Sequence, residues 1–208
     1  MKNYQKIFTP FHRDEVSKKL NIEKYSEYSP LNKIYELINL WEFTEKLDGA
    51  NISIKYKDGL IDIKGRTEAS EPPKEIINFI NEKINLPYLE SIEKEIIIYG
   101  EGYGGKIQRG KSGCLKEKFI GFDVNINDIW LSSKNAKEII NNAGFDFVFS
   151  YGLMTLKEAS KFVQEGFFAN MSDVPVQAEG LIGRTIEPLF LSNGERLILK
   201  LKTKDFPK

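Results

Sequence analysis

From Trp41 onward the chain alternates apolar and polar residues with a period of two, and this alternation constrains the fold more than any other feature. Residues 41–66 predict three strands in succession, with a typical hairpin turn at Lys57-Asp58-Gly59. Alternation in the first strand places Lys46 on the face opposite Trp41 and Phe43. The pattern therefore predicts a meander of antiparallel strands.

The rest of the chain mixes helical and strand patterns in unequal blocks, which predicts an α+β class with largely antiparallel sheets flanked by helices. The predicted helices are a polar one near Asp14–Leu20, an apolar one at Leu31–Leu40, one opened by Pro72-Pro73, one from Ser132 to Gly144, and one from a Thr155/Glu158 capping box to Gly166. The further predicted strands are 95–101, 119–124, 178–185 and 195–202.

Composition excludes several classes of protein. The 208 residues carry 30 basic and 30 acidic side chains, which argues against a protein that grips nucleic acid by bulk electrostatics alone. A single cysteine, Cys114, excludes an internal disulfide framework, and a single histidine, His12, argues against histidine triads. Without a membrane span or a signal peptide at the start, a cytoplasmic location is the default expectation.

Lys46-Leu47-Asp48-Gly49 is the motif most suggestive of chemistry. A lysine amine is a nucleophile only when it is neutral, and desolvation or nearby cations favour that form. A strand that ends in an Asp-Gly turn can hold such an amine at the mouth of a pocket. The alternative is a hairpin turn flanked by a surface lysine.

Three other segments could complete such a site. In residues 195–202, Lys200 and Lys202 share a face opposite a leucine stripe, so they could neutralise a phosphate or simply be solvated. Glu101 lies among glycines that permit a ligand to approach the backbone, or that form a flexible loop. Glu179 could be an oxygen ligand for Mg²⁺ or an edge-strand charge.

Taken together, these segments resemble the RNA ligase 2-like family, within the superfamily of ATP-dependent ligases and mRNA-capping nucleotidyltransferases. The order matches: Lys46, Glu101, Phe122-Asp123, Glu179, then Lys200 with Lys202. Residues 44–51 match the RNA ligase branch closely. The resemblance implies a nucleotidyltransferase fold over a single domain, 1–208, with a nucleotide pocket between its sheets, and ATP with Mg²⁺ or Mn²⁺ as cofactors.

The resemblance also implies roles for individual residues. Lys46 would attack the α-phosphate of ATP and carry AMP, which then passes to an RNA 5′-phosphate and is displaced by a 3′-hydroxyl in RNA repair. Glu179 would bind the metal ion, and Asp48 would support the lysine loop. The implied nucleotide contacts are Glu45 and Phe122 at the base, Arg66 and Glu101 at the ribose, Asn51 near the metal, and Lys200 and Lys202 at the α-phosphate.

Three points qualify the match. Strict alternation would place Phe122 and Asp123 on opposite faces, so only Phe122 is expected at the base. Gly183 stands where an apolar residue is expected, and predicts a bulge. The chain ends soon after Lys202, so no C-terminal nucleic-acid-binding domain is expected, and the RNA would be held by this domain, a partner protein or self-association.

The densest basic stretch supplies the candidate RNA contacts Lys106, Arg109 and Lys111, although an exposed solvated loop would have the same composition. Two further functions stay open. One keeps lysyl-nucleotide chemistry but seals nicked DNA or uses GTP for capping. The other is an accessory nucleotide-binding module, or an adenylyltransferase that does not complete sealing, because a fold alone does not fix a function.

Overall fold

The computed structural model describes residues 3–25, 34–67 and 70–207. Its strands are β1 (Phe11–Arg13), β2 (Leu20–Tyr25), β3 (Trp41–Lys46), β4 (Ala50–Lys57), β5 (Leu60–Lys64), β6 (Ile96–Tyr103), β7 (Lys118–Ile126), β8 (Ile129–Trp130), β9 (Asp146–Phe147), β10 (Ser150–Met154), β11 (Gly180–Arg184) and β12 (Ile198–Lys202). Its α-helices are α1 (Ile34–Leu37), α2 (Lys74–Lys83), α3 (Leu86–Ser91), α4 (Ser133–Asn142) and α5 (Leu156–Glu165). The α+β class with antiparallel sheets is confirmed.

The chain forms two compact units. The six-stranded unit comprises Met1–Tyr4, Asp48–Val148 and Ser172–Val174, and the four-stranded unit comprises Gln5–Leu47, Phe149–Met171 and Pro175–Lys208. The prediction of one adenylyltransferase domain over residues 1–208 stays a prediction.

In the four-stranded unit, the sheet order is β10-β3-β11-β12 and all neighbours are antiparallel. One face of this sheet is apolar and packs with α5 into a buried core. Trp41 and Phe43 of β3 and the leucines of β12 belong to this core, as alternation predicts. The other face is therefore left for polar side chains.

In the six-stranded unit, the sheet order is β5-β4-β6-β7-β8, and β9 pairs with β7 in parallel. Isoleucines on one face of β4 and β6 are fully buried against α2 and α4. Helix α2 supplies Ile76 and Ile80, which are four residues apart and therefore lie on the same helix face. The predicted capping box at Thr155 and Glu158, which begins α5 in the other unit, is confirmed.

The predicted polar helix near Asp14–Leu20 is wrong. The Asp14 carboxylate accepts hydrogen bonds from the backbone N–H groups of Val16 and Ser17 and from the Ser17 hydroxyl, which closes a turn instead. Strand β2 then begins at Leu20. Of the predicted helix at Leu31–Leu40, the structure has α1, and residues 31–33 lie outside the described residues.

The bulge predicted at Gly183 is also wrong, because β11 runs in unbroken register with both of its neighbours. A Cβ atom at Gly183 would lie 2.7 Å from the Phe43 ring and 3.0 Å from Leu199. These two side chains fill the space above position 183, so a larger residue would fit there only if a neighbour moved.

None of the helices in the described part of the chain combines the length and the apolarity needed to cross a lipid bilayer.

Candidate functional site

The polar face of the four-stranded sheet carries three lysines at adjoining positions. The antiparallel register places Gly180 of β11 opposite both Lys46 of β3 and Lys202 of β12. One step further along, Ile182 lies opposite Lys200. Because residues two apart on a strand share a face, Lys46, Lys200 and Lys202 all stand on the face away from the leucine core.

Glu179 lies between two of these lysines. Its carboxylate oxygens accept from Lys46 Nζ at 2.5 Å and from Lys202 Nζ at 2.7 Å. Burial disfavours the charged form of this carboxyl, but the two lysines together outweigh burial, so the pKa of Glu179 is lowered. In the free protein, Lys46 and Lys202 therefore share the carboxylate of Glu179.

Lys200 differs from the other two lysines. Within the described residues, its half-buried ammonium forms no hydrogen bond or ion pair, and burial together with the charges of Lys202 and Lys46 lowers its pKa. A desolvated cation between other cations is unfavourable in the free protein. This arrangement is suited to an anion that all three lysines could contact.

The donor set around Glu179 bears on metal binding. In the described part of the chain, no group of three or more His, Cys, Asp and Glu side chains is arranged to hold a metal ion. Mg²⁺ commonly takes one or two carboxylates and completes its coordination with water and substrate phosphates. A single carboxylate that is mostly buried beside two lysines has the chemistry of that kind of site, and the role of Glu179 as a metal ligand stays a prediction.

Glu45 faces the other side of the sheet from Lys46. It is 3% exposed, and its carboxylate accepts from the backbone N–H groups of Asn170 at 2.8 Å and Met171 at 3.3 Å. The Tyr151 hydroxyl donates to it at 3.4 Å. Desolvation raises the pKa of Glu45. The predicted contact of Glu45 with adenine stays a prediction, and the structure gives its carboxylate other partners.

In the six-stranded unit, Asn51 of β4 and Glu101 of β6 are directly paired neighbours. The Asp48-Gly49 turn packs closely on this strand end, because a Cβ atom at Gly49 would lie 2.4 Å from the Gly102 carbonyl oxygen. Arg66 follows β5 and is exposed. The structure thus brings Asn51 and Glu101 together and leaves Arg66 at the surface.

Phe122 and Asp123 lie on the same side of β7, contrary to the expectation from strict alternation. The register between β6 and β7 shifts between Tyr99 and Gly100, which leaves Phe122 as an extra residue in a bulge. Both residues contact Tyr4: its ring packs edge-on to Phe122 at 5.1 Å, and its hydroxyl donates to Asp123 at 2.7 Å. Tyr4 is a site neighbour that the sequence patterns did not indicate.

The candidate RNA contacts Lys106, Arg109 and Lys111 are all exposed, on a short 3₁₀ turn and beside it. Within the same turn, Gln108 donates its side-chain N–H to the Gly49 carbonyl at 3.1 Å. This bond ties the basic loop to the turn that follows Lys46. Sequence patterns missed Gln108 because a single glutamine in a glycine-rich loop has no periodicity to mark it.

Comparison with known proteins gives a family for this arrangement. A family model described as RNA ligase matches residues 39–202 of the chain. No curated protein sequence matches the chain.

The fold is similar to solved structures of an RNA ligase from Naegleria gruberi. A variant of that ligase with ATP and Mn has a TM-score of 0.68 at 16% identity, over 84% of this chain and 53% of that one. A second variant with ATP and Mn has a TM-score of 0.67 at 17% identity, over 84% and 55%. A variant with AMP and Mn has a TM-score of 0.64 at 16% identity, over 80% and 50%. This chain therefore spans about half the length of those ligase chains.

Proposed function

We propose that this chain, which belongs to the RNA ligase family, is an ATP-dependent RNA ligase that forms a lysyl-AMP intermediate at Lys46. The observation that carries the proposal is the cationic face of the four-stranded sheet. There, Lys46 and Lys202 share the carboxylate of Glu179, and Lys200 lies beside them without a salt bridge within the described residues. Such a face is suited to binding a polyphosphate next to an amine.

In the proposed first step, the Lys46 amine attacks the α-phosphorus of ATP. The N–P bond forms, the bond to the β-phosphate oxygen breaks, and pyrophosphate leaves. The amine must first leave its ion pair with the Glu179 carboxylate, 2.5 Å from Nζ, and give up a proton to solvent.

Lys200 and Lys202 would contact the α-phosphate oxygens, where negative charge accumulates during the attack. Preorganised cations stabilise that charge without moving, and their strand fixes their positions. Glu179 would also hold Mg²⁺ or Mn²⁺, which supplies further neutralisation of phosphate charge when bound. The Naegleria gruberi ligases that share the fold were solved with ATP or AMP and Mn, which supports these cofactors.

The later steps would transfer AMP to an RNA 5′-phosphate and join that end to a 3′-hydroxyl. Lys106, Arg109 and Lys111 are proposed RNA contacts on the grounds that they are exposed and basic. For the nucleoside, the family resemblance supports contacts from Asn51, Arg66, Glu101 and Phe122. A partner protein or a second copy that helps to hold the RNA is part of the proposal.

Incubation with α-labelled ATP and Mg²⁺ or Mn²⁺ tests the first step. We expect a covalent label on the protein that Lys46→Ala abolishes. The matched control is Lys161→Ala, which removes an exposed lysine of α5 in the same unit and should keep the label. An unlabelled wild-type protein would refute the proposal.

Product analysis separates the alternatives. Competition between unlabelled ATP and GTP decides the nucleotide, and GTP as the better competitor would favour capping chemistry. Nicked RNA duplexes, nicked DNA duplexes and single-stranded ends decide the acceptor. An accumulation of adenylated 5′ ends without joined product would identify an adenylyltransferase that does not complete sealing.

A further inference from the structure

Two consecutive residues of β3, Glu45 and Lys46, contact two parts of the segment 167–179, which folds back on itself. On the polar face of the sheet, Lys46 pairs with Glu179. On the core face, Glu45 accepts from the backbone N–H groups of Asn170 and Met171. Because adjacent residues of a strand point to opposite faces, the segment is held on both sides of β3.

The two held parts of this segment are hydrogen-bonded to each other. The Ala178 N–H donates to the Phe167 carbonyl at 2.9 Å, and the Ala169 N–H donates to the Val176 carbonyl at 2.9 Å. The arm at 167–171 is thereby paired with the arm at 176–179, which carries Glu179. A shift of the first arm would move the second arm and the Glu179 carboxylate with it.

The Glu45 carboxylate is costly where it lies. It is 3% exposed, and its donors are two backbone N–H groups and the Tyr151 hydroxyl, all of which are neutral. Asn170 Nδ2 donates in turn to the Tyr151 oxygen at 2.8 Å, which completes the network. A buried charge is tolerated when several donors satisfy it, and it then fixes those donors in place.

We propose that Glu45 is a positioning residue, which sets the Glu179 carboxylate against the Lys46 amine by anchoring Asn170 and Met171, rather than a residue that contacts the base. The inference rests on the proposed function for its activity readout. The anchoring of the two backbone amides can be tested without that function.

The first experiment measures amide hydrogen exchange at Asn170 and Met171 in the free protein. Glu45→Ala removes both acceptor oxygens, so we expect faster exchange at these two amides, whereas Glu45→Gln keeps one acceptor oxygen and should restore protection at Asn170, the closer donor, and not at Met171. Glu42→Gln is the matched control, because it changes an acidic residue on the other face of the same strand. Unchanged exchange in Glu45→Ala would overturn the anchor.

The second experiment follows the rate of labelling with ATP and with purine riboside triphosphate, which lacks the 6-amino group of adenine. We expect Glu45→Ala to lower kcat by about 10²-fold, because misplacement of a reacting group by about 1 Å has that scale of effect. KM for ATP and the preference between the two nucleotides should hardly change, and Glu45→Gln, which keeps one of the two acceptor oxygens, should recover part of kcat. Thermal unfolding of each variant checks that it is folded.

The outcomes distinguish a failure of the Glu45 proposal from a failure of the proposed function. A loss of preference for ATP in folded Glu45→Ala or Glu45→Gln would mean that Glu45 contacts the base, and would overturn the proposal. A kcat equal to that of wild type in Glu45→Ala would also overturn it. An unlabelled wild-type protein would instead refute the proposed function, while the exchange experiment would still decide the anchor.

Discussion

The candidate residues of the four-stranded sheet lie on an unbroken ladder, whereas those of β7 in the six-stranded sheet lie at a break in one. Lys46, Lys200 and Lys202 occupy positions that strand pairing and alternation fix. Phe122 and Asp123 share a side only because a bulge inserts one residue into the pairing with β6. The first arrangement depends on register, and the second depends on a local irregularity and on Tyr4.

This difference shows where each arrangement is vulnerable. A ladder is sensitive to whatever keeps its strands in register and to the balance of charge along its face. A bulge is sensitive to the contacts that hold the extra residue, which here come from a residue far away in sequence. Substitutions on the ladder should therefore affect phosphate chemistry, and substitutions at the bulge should affect the aromatic cluster.

The largest effect is expected on the ladder, from Glu179→Gln. The change keeps the shape of the side chain but removes the charge that Lys46 and Lys202 share. We expect the rate of labelling with ATP to fall by about 10²–10³-fold, the scale of losing one preorganised electrostatic group. Lys161→Gln serves as the control, and a labelling rate equal to that of wild type would remove Glu179 from the chemistry.

Gly183→Val tests the register of the ladder. The new side chain would meet the Phe43 ring and Leu199, and overpacking of this kind destabilises a protein by about 1–3 kcal/mol. Urea unfolding measures the loss. Wild-type stability in Gly183→Val would contradict the packing described for β11.

Lys200→Met tests whether Lys200 destabilises the free protein and yet contributes to anion binding. Burial and neighbouring cations lower the pKa of Lys200, so its charge destabilises the free fold at neutral pH. The variant should be more stable than wild type by about 0.5–2 kcal/mol. The gap should narrow as the pH rises through the lowered pKa, because the folded wild type then loses the unfavourable proton.

Ligand binding should change in the opposite sense for Lys200→Met. Pyrophosphate should raise the Tm of the wild type and raise that of the variant much less, since one cation of the phosphate-binding face is gone. Thermal unfolding with and without pyrophosphate measures both properties. An equal shift of Tm in the two proteins would show that Lys200 does not contact the anion.

The smallest effect is expected at the bulge, from Tyr4→Phe. The variant keeps the ring against Phe122 and loses only the hydroxyl that donates to Asp123. One hydrogen bond of this kind contributes about 0.5–1.5 kcal/mol to stability. Chemical denaturation followed by tryptophan fluorescence measures it, since the indole of Trp130 lies 5.9 Å from the Tyr4 ring and Trp130→Phe would give the contribution of the second tryptophan, Trp41. Tyr88→Phe, which changes a tyrosine of α3, is the control.

Much of the ladder could be predicted from the sequence. Alternation in 41–46 and 195–202 is sufficient to place Lys46, Lys200 and Lys202 away from the aromatic and leucine residues. The capping box at Thr155 is equally local, since both of its partners lie within four residues. Features of this kind are accessible because one strand or one helix turn determines them.

The remaining features depend on contacts that no short segment contains. The bulge at Phe122 depends on pairing with β6, and the hydrogen bond of Tyr4 is to Asp123, a residue 119 positions away. Strand β10 was not predicted, because its residues are mostly exposed and it contains Gly152. The contacts of Glu45 with Asn170 and Met171 are similarly non-local, so no short motif could indicate them.

The most direct test of the central claim is to locate the AMP on the protein. After incubation with ATP and Mg²⁺ or Mn²⁺, the protein is digested and its peptides are analysed by mass spectrometry. We expect one AMP on the peptide that contains Lys46, removable by added pyrophosphate, and none on the peptides that contain Lys200 or Lys202. AMP attached to another lysine, or no AMP on any peptide, would contradict the assignment of Lys46 as the nucleophile.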